Sequence, residues 1–223
     1  MREIVLDTET TGFDPDTGDR VIEVAAIELV NLLPTGRHFH TLLDPERDVP
    51  PESTKVHGFT RADLEGKPKF RDAAAAMLEF LGDSPVIAHN APFDFKFLDA
   101  ELKAAGHPKL DRARMADSLV LAKERFPGAP NSLDALCRRY GIDLSERTTH
   151  NALLDVRLLA AVYLELRGGR QAGLALDEAP AVAILATEDR APRTPRPILL
   201  SPEQEEAHRA FLGGIKEPFW LRG

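Results

Sequence analysis

The sequence predicts an α/β fold: a mixed five-stranded sheet, an antiparallel meander continued by parallel strands, flanked by helices and followed by a C-terminal linker and short helical tail. Three observations predict it. The chain opens with three strand-like runs joined by short turns, the pattern of an antiparallel meander. A strand, helix, strand, helix succession follows, which adds parallel strands and packs helices on the sheet. Regular periodicity stops after Gly168-Gly169, so the folded domain is expected over residues 1–169. A chain of 223 residues, 43% hydrophobic and 29% charged, supports one sizeable core and an appendage.

Ile4-Val5-Leu6-Asp7-Thr8-Glu9 begins as a buried strand and then alternates, so a period of two puts Asp7 and Glu9 on one face. Two neighbouring acids repel, and a bound cation relieves that; a solvated strand end is the bland alternative. Asp14 to Asp19 is a turn by composition, and Arg20 to Val30 is a strand rich in Val and Ile. Pro34-Thr35-Gly36 is expected to turn the chain into a third strand, Arg37 to Leu43. A Pro-rich loop then leads to Val56-His57-Gly58-Phe59-Thr60, where His57 is either a substrate contact or simply an exposed loop residue. Phe70 to Leu81 has helical spacing, with Ala73, Met77, Phe80 and Leu81 as the expected inner face and Gly82 as the stop.

Pro85-Val86-Ile87-Ala88 reads as a short buried strand, and His89-Asn90-Ala91-Pro92-Phe93-Asp94 carries the chain into a helix ending near Gly106. With Pro92 near the first helical position, Asp94 falls in the first turn on the side of Phe97 and Leu98. It is an inward carboxylate, although an acid at a helix N-terminus is favourable without any function. Met115-Ala116-Asp117 is the fifth strand and leads into a helix through Phe126. Pro127 to Pro130 breaks the chain, Asn131-Ser132 caps a helix running to Tyr140, and Gly141 ends it. In the helix from Asn151 to Arg167, Asp155 aligns with Leu159, Val162 and Leu166 at steps of four, seven and eleven. An ionised Asp on that apolar stripe is costly unless a cation and polar groups meet it. His150 stands at the helix mouth or on the loop before it, over whatever Asp155 holds; a solvent-facing His and a buried hydrogen bond to Asp155 are the alternative.

Composition narrows the chemistry. No apolar run approaches the roughly 20 residues that span a bilayer, and Met1-Arg2-Glu3 runs straight into a strand, so a cytoplasmic protein without a membrane partner is expected. Cys137 has no partner for a disulfide and reads as a small core residue. A net charge of -8 argues against a protein that grips long duplex DNA by its own field. A nucleic-acid substrate would have to be held locally, through metals or a partner. Asp7, Glu9, Asp94 and Asp155 with a mobile His150 meet the needs of two-metal phosphodiester hydrolysis. An oxygen-rich donor set suits two divalent cations, Mg²⁺ or Mn²⁺, about 3.5–4 Å apart. An imidazole with an ordinary pKa of about 6.5 suits a general base.

Three stretches, Asp7-Thr8-Glu9-Thr10-Thr11-Gly12, His89-Asn90-Ala91-Pro92-Phe93-Asp94 and His150-Asn151-Ala152-Leu153-Leu154-Asp155, resemble the three exonuclease motifs of the DEDDh 3′→5′ exonucleases. Each is weak alone; in this order and spacing they are specific. Phe126-Pro127-Gly128 and Asn131 to Cys137 narrow the resemblance to the proofreading subunits of bacterial DNA polymerase III, over roughly residues 3–170 and more loosely over the Trp-containing end. The resemblance implies a ribonuclease H-like fold. It implies Asp7, Glu9 and Asp155 on one metal, Asp7 on the second, Asp94 positioning water and His150 as base. Thr8, Thr10, His57 and Asn90 are then candidates for contact with the single-stranded 3′ end of DNA.

Beyond the domain the composition changes. Residues 170–200 hold Pro180, Pro192, Pro195 and Pro197 with little periodicity and read as a flexible linker. Ser201-Pro202-Glu203-Gln204 starts a helix that should reach about Leu212. Trp220, the only Trp, follows Phe219 in a segment too short to bury it, a partner-binding pattern unless it docks on its own domain. By resemblance, Gln171, Leu174 and Leu176 within residues 171–176 form a motif for the sliding clamp (β), and residues 201–223 anchor the catalytic (α) polymerase subunit. The rival readings are a free-standing exonuclease acting on RNA or short oligonucleotides, and a scaffold that has lost catalysis.

Overall fold

Five strands form one sheet in the computed structural model: β1 (Arg2–Thr10), β2 (Val21–Val30), β3 (Leu33–Leu42), β4 (Val86–Ala88) and β5 (Met115–Asp117), in the order β3-β2-β1-β4-β5. Residues 1–145, 147, 150–169 and 200–214 are described, and contacts divide the chain into two units, Met1–Leu174 and Ala175–Gly223. β2 runs antiparallel to β1 and β3, and β4 runs parallel to β1 and β5, so the expected mixed sheet is present.

The meander turns earlier than its composition suggests. Asn31 (φ 52°) and Leu32 (φ 69°) make a two-residue hairpin loop, and Pro34 to Gly36 lie inside β3. Two consecutive left-handed residues match the twist of the flanking strands, which Asn favours and Leu tolerates at a cost. Pro34 is accepted because β3 is an edge strand. The Pro-rich segment before His57 is not a loop either. It holds helix α1 (Pro51–His57), with Pro51 in its first turn and Gly58 (φ 84°) closing it, and after His57 a Thr60/Asp63 capping box starts α2 (Arg61–Leu64). Proline here starts a helix.

The remaining helices of this unit are α3 (Phe70–Leu81), α4 (Ala91–Ala104), α5 (Ser118–Arg125), α6 (Leu133–Tyr140) and α7 (Ala152–Leu166). Ser132 and Asn151 cap α6 and α7 through their side chains, and Gly141 ends α6 at φ 67°. α3 buries Phe70, Ala74, Met77 and Leu81, so Ala74 takes the inner place expected of Ala73, while Ala73 and Phe80 lie at the margin. That set follows steps of four, three and four, a straighter stripe than the expected one. Among the described residues, no helix is long and apolar enough to cross a membrane.

Alternation along β1 sorts the core. Ile4 and Leu6 pack with Val24, Ala26, Met77, Phe95 and Leu98, the layer of α3 and α4. Val5 packs on the opposite face with Ala25, Ile27, Ile87, Val156, Leu159 and Tyr163, the layer of α7. Cys137 is fully buried with Leu136, Leu158 and Val162 where α6 meets α7. The same period carries Thr8 towards α4, and Asp7 and Glu9 towards α7.

In the second unit, Ser201 and Gln204 form the capping box of α8 (Pro202–Gly213). Gln171, Leu174 and Leu176, the rest of the linker up to residue 199, and Phe219 and Trp220 lie outside the described residues.

Candidate active site

The parallel pairing of β1 with β4 ends at Val5 and Ile87, and the bulge between Glu9 and Thr10 ends the regular ladder with β2. Beyond those points the carboxyl ends of β1 and β4 face a crevice rather than each other, the place where α/β sheets open to ligands. α4 starts directly after β4 and brings Asp94 in its first turn, 3% exposed, where Thr8 Oγ1 donates to Asp94 Oδ1 at 2.8 Å. α7 brings Asp155, also 3% exposed, onto the side of Asp7 and Glu9. His150 stands half-exposed just before α7, and its backbone N–H donates to Val56 O at 3.0 Å, which ties the loop to α1. One ligand atom each from Glu9, His150 and Asp155 lies within 4.8 Å of the other two.

Burial makes these acids weak. Desolvation, then the neighbouring Asp94 and Glu9 charges, push the Asp7 carboxyl well above the usual range. Desolvation pushes Glu9 up to about 8, with His150 opposing and Glu23 and Asp155 adding repulsion. Asp94 is raised to about 7, again by burial, and Thr8 partly offsets it. Asp155 differs: burial would raise it, but the hydrogen-bonded Arg147 guanidinium and then the neighbouring His150 more than compensate and hold it below the ordinary value. The Asp155 carboxylate beside it in turn raises the His150 pKa. Carboxyls whose charged form is disfavoured by burial, and further by neighbouring acids, are sites where added positive charge is strongly favoured. The donor set is carboxylate oxygen plus one imidazole, with Cys137 sealed in the core, and it fits a divalent cation.

Two clefts flank the acids. The first, about 390 Å³, runs from Asp7 and Asp155 past His150 and Arg147 to Ser132 and His89. The second, about 300 Å³, reaches from Glu9 to Thr8, Thr10, His57, Phe13 and Phe93. His57 is not the exposed loop residue of the bland reading: it is 3% exposed at the end of α1, stacked on Phe59 at 5.7 Å. Its Nδ1 accepts from Phe59 N at 3.1 Å, which leaves the proton on Nε2, and Nε2 has no partner among the described residues. Burial, then the His150 charge, lowers the His57 pKa, so the ring is neutral. Thr10 Oγ1 donates to Gly12 O at 2.6 Å, so neither Thr8 nor Thr10 has a hydroxyl proton left to give. Asn90 sits exposed at the left-handed turn before α4 (φ 71°), with no capping bond from its side chain.

Four neighbours of the acids escaped the sequence reading. Arg147 bonds both oxygens of Asp155, Asp134 anchors Arg147, and Phe13 stands 86% exposed beside the second cleft. Glu23, fully buried opposite Glu9, accepts from Ala152 N at 3.1 Å and Asn151 Nδ2 at 3.3 Å and lies 2.7 Å from His40 Nε2, so it ties α7 to the sheet. Glu23 left a signal, one of two acids within a β2 that is otherwise apolar. Arg147 left none, because a loop has no periodicity to violate.

An exonuclease family profile (RNase_T) matches residues 4–163. The DNA polymerase III subunit epsilon of Rickettsia conorii is 46% identical over 222 residues, 96% of each chain. That of Escherichia coli K12 is 44% identical over 176 residues, 76% of this chain and 72% of the relative. This chain belongs to the epsilon family of exonucleases. Among solved structures, Exonuclease X in complex with 5′ overhanging duplex DNA superposes with TM-score 0.60 at 23% identity, over 74% of this chain and 90% of that one. Escherichia coli Exonuclease I in complex with a dT13 oligonucleotide gives 0.64 at 19%, over 75% and 41%. These likenesses establish the ribonuclease H-like fold of the epsilon-family domain, and the three acidic motifs fall inside the matched region.

Proposed function

We infer that this chain is a proofreading exonuclease that removes mispaired nucleotides from the primer 3′ end during replication, as a metal-dependent subunit of the polymerase. The observation that carries the reading is the meeting of Asp7, Glu9, Asp94, Asp155 and His150 at the mouth of the sheet in an epsilon-family chain. Glu9, Asp155 and Asp7 would hold one divalent cation and Asp7 a second, Mg²⁺ or Mn²⁺. When bound, the cations supply Lewis-acid activation of the attacking water and charge stabilisation at the leaving 3′ oxygen.

The protein's own groups do the rest. His150 takes a proton from the water as its oxygen attacks phosphorus, and Asp94, braced by Thr8, accepts a hydrogen bond that aims that water. The bond to the 3′ oxygen breaks and a 5′-nucleotide leaves. His57 offers its unpaired Nε2–H to the terminal nucleotide, Phe13 offers a face on which a base can stack, and Thr8, Thr10 and Asn90 border it. Because Thr8 and Thr10 give their protons within the protein, they serve this contact as acceptors or by shape.

A site that holds one frayed end needs its grip on duplex from elsewhere. A net charge of -8 fits a subunit tethered by residues 201–223 to the catalytic α subunit and by residues 171–176 to the sliding clamp β, working in the cytoplasm at the nucleoid. Release of nucleotides from a single-stranded or mispaired 3′ end, set beside paired ends and RNA, with and without EDTA, tests this. Metal-dependent preference for the frayed DNA end supports it. Equal or better cleavage of RNA would move the chain to the free-standing class, and no cleavage would make it a scaffold.

A further inference from the structure

Arg147 lies on the loop before α7 with its side chain only 10% exposed. Its Nε donates to Asp155 Oδ1 at 2.7 Å and its Nη2 to Asp155 Oδ2 at 2.8 Å, a two-pronged grip on one carboxylate. Nη1 donates to Asp134 Oδ1 at 2.5 Å, and Asp134 stands on α6, rooted outside the acidic cluster. Nη2 also reaches His150 Nδ1 at 2.8 Å, closer than the 3.5 Å between that nitrogen and Asp155 Oδ2. A guanidinium has only protons to give, so Nδ1 accepts, and the lone pair that a general base needs is spent.

We propose that Arg147 is a displaceable counter-ion, whose guanidinium holds the Asp155 lone pairs that a divalent cation takes on binding, and which swings away on its Asp134 anchor when the cation arrives. Both Asp155 oxygens are engaged by the guanidinium fork, so a cation that takes a lone pair there competes with it directly. The exchange couples two events. Loading Asp155 with metal frees His150 Nδ1, so the base becomes competent only when the cation is present. Water attack is thereby restricted to the loaded site. The released guanidinium remains beside the first cleft, held by Asp134.

This inference rests on the metal reading above, and Mn²⁺ binding separates the two. Calorimetric titration of the full chain with Mn²⁺ should give tighter binding by Arg147→Met than by wild type, by about ten- to a hundredfold, the worth of a charged hydrogen bond. Arg147→Lys, which keeps the charge but loses the fork, should fall between. In EDTA, Arg147→Met should melt below wild type and gain more from Mn²⁺. Mn²⁺ affinity unchanged or weakened in Arg147→Met would overturn the proposal, making Arg147 a brace that orients Asp155 in the loaded site. In case that variant does not fold, the Arg147 Nε–H resonance of wild type provides a second reading. It should shift when Mg²⁺ is added, and an unmoved resonance would overturn the proposal as well. Wild type that binds no Mn²⁺ would remove the metal reading itself.

Discussion

Asp7, Glu9 and Asp94 are each unfavourable as charged groups where they stand, Asp155 is held by Arg147, and together they define what the site wants. Asp7 sits between Asp94, Glu9 and Asp155, and all three raise its pKa. Asp7→Ala should therefore abolish nucleotide release at every Mg²⁺ concentration, and near-normal turnover would count against Asp7 as the shared ligand. His150→Ala should lower kcat by roughly 10²- to 10⁴-fold while Mn²⁺ still binds; an unchanged pH-rate profile would remove His150 as the base. The sign of the pH effect follows from Glu9 and Asp94, whose folded pKa values of about 8 and about 7 lie above the ordinary carboxyl values of 4.5 and 3.8. Between each pair of values the folded chain binds more protons than the unfolded one. In EDTA, the stability that these two groups contribute is fully present below about pH 4 and should be lost as pH rises towards 8, whereas with saturating Mn²⁺ that loss should largely vanish. Melting curves across that range in both conditions are the check. Asp7, Glu9, Asp94 and Asp155 were readable because each is an acid where the period of its element points inward. Arg147, Phe13 and the unpaired Nε2 of His57 were not, since a loop side chain takes its direction from neighbours distant in sequence.

Among the elements, β1 and α7 do most to position the chemistry. β1 splits its side chains so that Thr8 supports Asp94 on one face while Asp7 and Glu9 meet α7 on the other. α7 is held at its start by Glu23, through bonds to Ala152 N and Asn151 Nδ2. Glu23→Ala leaves a buried N–H and His40 without their acceptor, and should cost about 2–4 kcal/mol in urea unfolding. Leu159→Ala, in the packing beneath the same helix, should cost a similar 2–5 kcal/mol. Only Glu23→Ala should also weaken Mn²⁺ binding, since it alone lets the start of α7 move relative to β1; equal Mn²⁺ affinities would reduce Glu23 to a packing residue. The elements were legible in kind wherever periodicity was long, as in α3 and α7. They were misread where proline and glycine were taken as breaks: Pro51 starts α1, and Pro34 and Gly36 lie within an edge strand.

At the scale of the whole chain, the catalytic unit and the helix α8 belong to separate units. If the segment beyond the linker only tethers, deleting residues 198–223 should leave exonuclease activity on short single strands intact and abolish co-elution with the catalytic polymerase subunit. Retained co-elution would place that contact on the domain. A chain of net charge -8 should also show a shallow salt dependence of DNA binding on its own and a steeper one in the complex, because few phosphates are neutralised by the chain alone. The sequence by itself determined the α/β class, the succession of elements from α3 onward, the buried place of Cys137 and the identity of the acids, since these depend on periodicity and on residue chemistry that a short window already contains. Only the tertiary structure decided where the hairpin turns, that His57 is buried, that Glu23 anchors α7, and that Arg147 grips Asp155 and occupies His150. Those are contacts between residues brought together by the fold, and their energies depend on burial and distance, which no local pattern encodes.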